Sequence, residues 1–347
     1  MIKIKLERHY IWMLIFIILM PVITHLGDAR HPRTGNGEPR SEIAQQLDQR
    51  LGRDKSFVEK IAKERPRLYY TLAFTTLAGG FILFLGMLFL IIFFTNWFAG
   101  RQAIKPVVQQ HVVPWGLLDV IRVVILFVFI GYILLIAESV IFKALNIKEY
   151  DRNLTGIFNT TILDLCALFC IVYFIKVKFR QGLSSLGLVL KGFFKSVYTG
   201  IVSYITLIPV LFLAVLLVVL AASIFKYKPP TEPIIEMLFD EKRSRLLAYM
   251  TFFVSIGGPI VEEIFFRGFL YSAMKKVMNM KLAIFISAAL FSLLHTNVIG
   301  FLPILCLGAL LAYVYEKTGS LISSITIHII HNSIVLFLIF LIKEIIR

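Results

Sequence analysis

Charge is scarce in this chain. Only 16% of its 347 residues are Asp, Glu, Lys or Arg, while 58% are hydrophobic and the mean hydropathy is +0.83. A soluble domain carries about 25% charged residues, so this balance excludes one and points to a chain that lives in lipid. Acid is scarcer still, with 21 Asp and Glu against 36 Lys and Arg and a formal net charge of +15. In so apolar a chain the excess reads as basic loops on the cytoplasmic side of a membrane. No RNP, zinc-finger or helix-turn-helix pattern suggests a nucleic-acid partner. Cysteine is nearly missing. Cys166, Cys170 and Cys306 lie in apolar runs without a C-x-x-C, which argues against a disulfide framework and a structural zinc site. Cys166 and Cys170 are one helical turn apart and read as small packing residues. The motifs H-E-x-x-H, G-x-S-x-G, G-x-S-G and G-x-G-D are also absent. A zincin-type metal site, a serine nucleophile and an aspartyl dyad of those kinds therefore find no support.

What is present is a series of long apolar runs. Nine spans are predicted, at 10–27, 69–98, 114–143, 154–176, 194–225, 246–273, 281–299, 301–316 and 321–343. Each is expected to be helical, because a lone strand would leave its backbone unpaired in lipid. The fold class is therefore all-α, a polytopic transmembrane helical bundle of about eight or nine spans with a polar N-terminal loop. The N-terminus combines a basic start with an apolar stretch over 10–26 and lacks an A-x-A-like site, so it reads as an uncleaved signal anchor. Segment 28–67 is polar, first Gly/Pro-bearing and then mixed in charge, and reads as a linker followed by an amphipathic helix. These features divide the chain into 1–112 (signal anchor, polar loop and an extra span) and a membrane core, 113–347.

Loop charge gives a topology. Loops 1–9, 99–113, 177–193, 274–280 and 317–320 carry Lys3, Lys5, Arg8, Arg101, Lys105, Lys178, Arg180, Lys191, Lys275 and Lys276 against Glu7. That side is the expected cytoplasmic one, with the N-terminus inside. The Lys- and Arg-rich segment 28–67 runs against the pattern.

Ionisable residues at membrane depth cost about 2.5–3.5 kcal/mol each on insertion scales, so each needs a reason. Asp119 and Arg122 are three apart and can pair on one helix. Glu138 and Asp164 are read as helix-end or helix-interface groups. A denser set lies in the last third. Glu262, Glu263 and Arg267 fall in the sixth span, His295 in the seventh, and His328, His331 and Asn332 in the ninth. Glu263 and Arg267 are at i,i+4 and can form an ion pair. Glu262 is turned about 100° away and is free to face elsewhere. His328 and Asn332, also at i,i+4, can face one space with it. A carboxylate in an apolar site is a usable general base. Gly257-Gly258-Pro259, one turn upstream, frees backbone groups of the kind that border cavities.

These three motifs, Glu262-Glu263-Ile264-Phe265-Phe266-Arg267, Phe291-Ser292-Leu293-Leu294-His295 and His328-Ile329-Ile330-His331-Asn332, resemble those of the CPBP family of intramembrane proteases. This is the CAAX protease and bacteriocin-processing (Abi) family, to which the type-two CAAX prenyl endopeptidase belongs. The resemblance covers about 245–340. It implies peptide-bond hydrolysis in or at the membrane, of a peptide or a membrane-anchored protein. By it Glu262 activates a water with help from His295, His328 and Asn332 stabilise the oxyanion, and Glu263 and Arg267 support the site. No cofactor is required by that scheme. A divalent metal such as zinc stays an open alternative, with Glu262, His295 and His328 as its ligands. His331 could take the place of His328. A bacterial cytoplasmic membrane is the expected location. Two rival functions remain at this point: a non-catalytic immunity or scaffold protein on the same fold, and a proton-coupled transporter using Glu262 and His295 as a relay.

Overall fold

The computed structural model describes residues 6–28, 56–108, 112–147, 150–227, 233–295 and 298–346. Among these residues every regular element is helical. In chain order they are α1 (Arg8–Asp28), α2 (Ser56–Glu64), α3 (Pro66–Phe98), α4 (Leu117–Ala144) and α5 (Arg152–Tyr173, continued by a π-helical turn at Phe174–Lys178). Then follow α6 (Phe193–Ile224), α7 (Pro233–Asp240), α8 (Ser244–Met274), α9 (Met280–Leu294), α10 (Phe301–Thr318) and α11 (Leu321–Ile346). Seven of these, α3, α4, α5, α6, α8, α10 and α11, are long and apolar enough to cross a membrane. The protein is an all-α, multi-pass membrane bundle. The linker expected before α2 falls mostly on residues 29–55, which lie outside the described residues.

The predicted seventh span departs from expectation. It was expected to reach 299, but α9 stops at Leu294 after 15 residues. That is about 22 Å of helix, short of the roughly 30 Å of hydrocarbon. His295 caps its C-terminal end.

The bundle is assembled on α6 and α8. Helix α6 packs against α3, α10 and α11, and α8 against α5, α9 and α11, while α1 packs on α4. Two of the α6 contacts depend on glycine. A Cβ at Gly86 of α3 would lie 2.5 Å from the Ile205 carbonyl oxygen, and one at Gly200 would lie 2.8 Å from the Ser323 carbonyl oxygen. Small residues allow such approach where lipid offers no hydrophobic drive to pack helices. The main core joins Trp115, Ile171, Leu186, Phe269, Phe291 and Leu321 between α5, α8, α9 and α11. The Trp115 indole N–H donates to the Phe269 carbonyl at 3.0 Å.

Loops assigned to one side by charge meet at one face. Val107 N–H and Val108 N–H donate to the Thr318 carbonyl at 2.9 and 2.8 Å, Lys276 Nζ reaches the carbonyl of Trp115 at 3.0 Å, and Leu321 N–H reaches the carbonyl of Gly187 at 3.0 Å. The expected Asp119–Arg122 pair forms there at 2.8 Å, and it is part of a larger network. Arg122 also grips Glu7 ahead of α1 with contacts of 2.6 and 2.9 Å, and Lys178 reaches Asp119 at 2.6 Å. The opposite face is held by Arg243 between Asp151 and Glu241, by Asn153 donating to Glu241 at 3.1 Å, and by Lys343 donating to the Leu238 carbonyl at 2.7 Å. The hydrogen bond from Arg243, followed by further donors, holds the Glu241 carboxyl down at about 2.

Candidate active site

The site is built around an irregular stretch of α8. Two π-helical segments, Phe253–Gly257 and Ile264–Tyr271, flank the short α-helical piece Gly258–Glu263. Pro259 explains part of this. It has no N–H to offer the preceding turn, and a wider turn accommodates the lost bond. Segments of this kind recur at functional sites because they leave backbone groups without intrahelical partners. One such group, the carbonyl of Val254, accepts a hydrogen bond from Asn332 Nδ2 of α11 at 2.9 Å.

Glu263 and Arg267 are both fully buried and paired at 2.8 Å, as the i,i+4 spacing predicts. Arg267 donates in addition to the Gly308 carbonyl of α10 at 3.1 Å, and its guanidinium carbon lies 4.5 Å from the centroid of the Phe291 ring. Glu263 does more than balance Arg267, since its Oε1 also meets His328 Nδ1 at 3.0 Å. The other ring nitrogen, Nε2, lies 3.8 Å from Glu262 Oε2. His328 therefore stands between the two glutamates, 2% exposed, while the Glu262 side chain is 35% exposed. Oε2 of Glu262, Oε2 of Glu263 and Nε of Arg267 make no hydrogen bonds among the described residues. The bridging role of His328 was not legible in the sequence, because helix rotation, not spacing, sets which carboxylate a histidine of another helix meets.

The remaining motif residues border this cluster. His295 Nδ1 lies 2.8 Å from the Phe291 carbonyl oxygen. The Phe291 ring lies 4.8 Å from the His295 ring and 5.5 Å from the His328 ring, so one aromatic side chain separates the two imidazoles. No hydrogen bond or ion pair joins His295 to Glu262 among the described residues. His331 turns to α6, its Nδ1 3.2 Å from the Tyr204 hydroxyl, and leaves the place beside the glutamates to His328. Metal chemistry would need Glu262, His295 and His328 about a single point. Among the described residues no three His, Cys, Asp or Glu side chains are placed to hold a metal ion.

A cavity of about 330 Å³ lies elsewhere, at the loop face, lined by Ser184, Ser185, Ser272, Lys275 and Lys276 among others. No motif residue lines it.

Residues 244–334 match the family described as type II CAAX prenyl endopeptidase Rce1-like. The UPF0177 protein YxdF of Lactococcus lactis subsp. lactis (strain IL1403) is 36% identical over 80 residues, 23% of this chain. The matched part spans 42% of that relative's length. No solved structure matches. The matched segment holds α8, α9, α10 and the first half of α11, and with them every residue of the cluster. Over this segment the chain is similar to the type II CAAX prenyl endopeptidase Rce1-like family.

Proposed function

We propose that the protein is an intramembrane endopeptidase in which Glu262 activates water against a peptide bond of a membrane-embedded peptide or membrane-anchored protein. The observation that carries this reading is the placement of His328 between Glu263 and Glu262, at 3.0 and 3.8 Å. Glu263, paired with Arg267, accepts the Nδ1 proton of His328 and so leaves Nε2 as an acceptor. A gap of 3.8 Å between Nε2 and Oε2 is too long for a direct bond. It suits one water touching both at about 2.8 Å.

That water gives a proton to Glu262 as its oxygen attacks the carbonyl carbon. His328 aligns the water by accepting a hydrogen bond from its second hydrogen at Nε2. This reading shifts His328 from the oxyanion to the water. Asn332 has two amide donors and uses one on Val254, so the second is free to serve the oxyanion, with His295 as its partner. Arg267 and Glu263 hold His328 in position from a dry, fully buried ion pair. Exclusion of water from such a site strengthens each of these contacts. The family match supports a peptidase.

The test is cleavage of a lipid-embedded peptide library by the full chain in vesicles, read by mass spectrometry. Wild-type protein is expected to cut, and Glu262→Gln to lose at least about 100-fold in rate with helical content unchanged. Absence of cleavage by wild type, or full activity in Glu262→Gln, would overturn the proposal.

A further inference from the structure

Peptide hydrolysis needs a second proton transfer. Once water has attacked, the amine cannot leave until its nitrogen is protonated, and none of the groups assigned above is committed to that task. Helix α5 supplies a candidate that the sequence reading set aside as an interface residue. Asp164 lies at heptad spacing from Ile157 and Ile171, which are 3% and 0% exposed, so it lies on the face that α5 turns into the bundle. The other face carries Phe158, Leu165 and Phe169, each more than half exposed. The inward face packs against α8 along both the α-helical piece that holds Glu262 and the π-helical segment that follows it.

Asp164 is half-buried and makes no hydrogen bond or ion pair among the described residues. Among the described residues, the charge that bears on its carboxyl is that of Glu262. Glu262 Oε2 is itself without a hydrogen-bond partner there. The two carboxyls thus bear on each other where α5 packs against the Glu262 segment of α8, and among the described residues no cation pairs with Asp164. Asp at the centre of a membrane helix is costly, and a second negative charge nearby adds to that cost. A single proton shared by the pair relieves both effects.

From this placement we infer that Asp164 is a further catalytic residue, the acid that protonates the leaving amine. The inference rests on the endopeptidase reading. In the first step water gives one proton to Glu262 and its hydroxyl to the carbonyl carbon. In the second, Asp164 gives its proton to the nitrogen and the C–N bond breaks, releasing the carboxylic acid and the free amine. The proton held on Glu262 then passes to Asp164, and the pair returns to its starting state. No other reactant is needed.

The experiment compares one lipid-embedded peptide with its thiodepsipeptide, in which sulfur replaces the scissile N–H. A thiol ionises near pH 8.5, so a thiolate leaves without an acid, whereas an amine does not. Asp164→Asn is expected to slow cleavage of the amide at least about 100-fold while changing the thioester rate by less than about 5-fold. Asp164→Glu, which keeps an acid, is expected to retain amide cleavage within about 10-fold. The amide-to-thioester ratio is independent of the folded fraction, so partial misfolding cannot imitate the result. Equal losses on both substrates in Asp164→Asn, or no loss on either, overturns the assignment. If wild type cleaves neither substrate, the endopeptidase reading itself falls and takes this inference with it.

Discussion

The Glu263–Arg267 pair offers a sharp test of how the site is built. Both side chains are fully buried and 2.8 Å apart. At an effective dielectric of about 20, two unit charges at that distance attract by about 6 kcal/mol, and desolvation offsets much of that. Removing one partner is therefore worse than removing both. Arg267→Met leaves Glu263 with His328 as its sole polar contact and strips the Gly308 carbonyl of its donor. The expected cost is about 3–5 kcal/mol. The double variant Glu263→Gln/Arg267→Met removes both charges. It should be less destabilised than the sum of the singles by about 1–3 kcal/mol. Reversible unfolding by SDS in mixed micelles gives all four corners of the cycle. Additive losses, or a cost below about 1 kcal/mol for Arg267→Met, would show that the pair is not a desolvated ion pair and would undo the argument that it anchors His328.

Further expectations follow from packing and charge. Gly200→Ala places a methyl 2.8 Å from the Ser323 carbonyl oxygen, so α6 and α11 must separate. The expected cost is about 1–3 kcal/mol, with loss of peptide cleavage because α11 carries His328. Gly86→Ala creates a still closer clash, 2.5 Å from the Ile205 carbonyl oxygen, but on α3. It should destabilise the protein in the same unfolding assay while leaving cleavage per folded molecule near wild type. The Glu241 carboxyl is held at about 2 against an ordinary 4.5, first by Arg243, so its contribution to stability is complete above about 4.5. That contribution fades as pH falls toward 2. Glu241→Gln should flatten this limb of the stability–pH curve, and an unchanged limb would mean that the Arg243–Asp151–Glu241 cluster does not hold the α7–α8 corner.

The hydrophobic pattern located the helices because lipid leaves the backbone no alternative to internal hydrogen bonds. Their boundaries were legible to within a few residues in most cases. The exception was α9, which ends at Leu294, five residues short of the predicted limit at 299. The Asp119–Arg122 and Glu263–Arg267 pairs were equally legible, since i,i+3 and i,i+4 neighbours meet on any helix. Partners from distant segments were not. Nothing in the sequence pointed to Glu7 and Lys178 joining Asp119 and Arg122, because that contact depends on where α1 and the end of α5 come to rest.

The same division runs through the site. Sequence alone determined that acid, imidazole and amide groups would sit on three apolar helices, and that one glutamate of the adjacent pair would be neutralised by Arg267. Tertiary structure decided the assignments. It turned His328, rather than His331, toward the glutamates and gave His331 to Tyr204. It spent one Asn332 donor on a carbonyl exposed by the π-helical segment, and it packed α5, which carries Asp164, against the segment of α8 that carries Glu262. Spacing along a helix fixes which residues share a face. Only the rotation of each packed helix about its own axis fixes what that face meets.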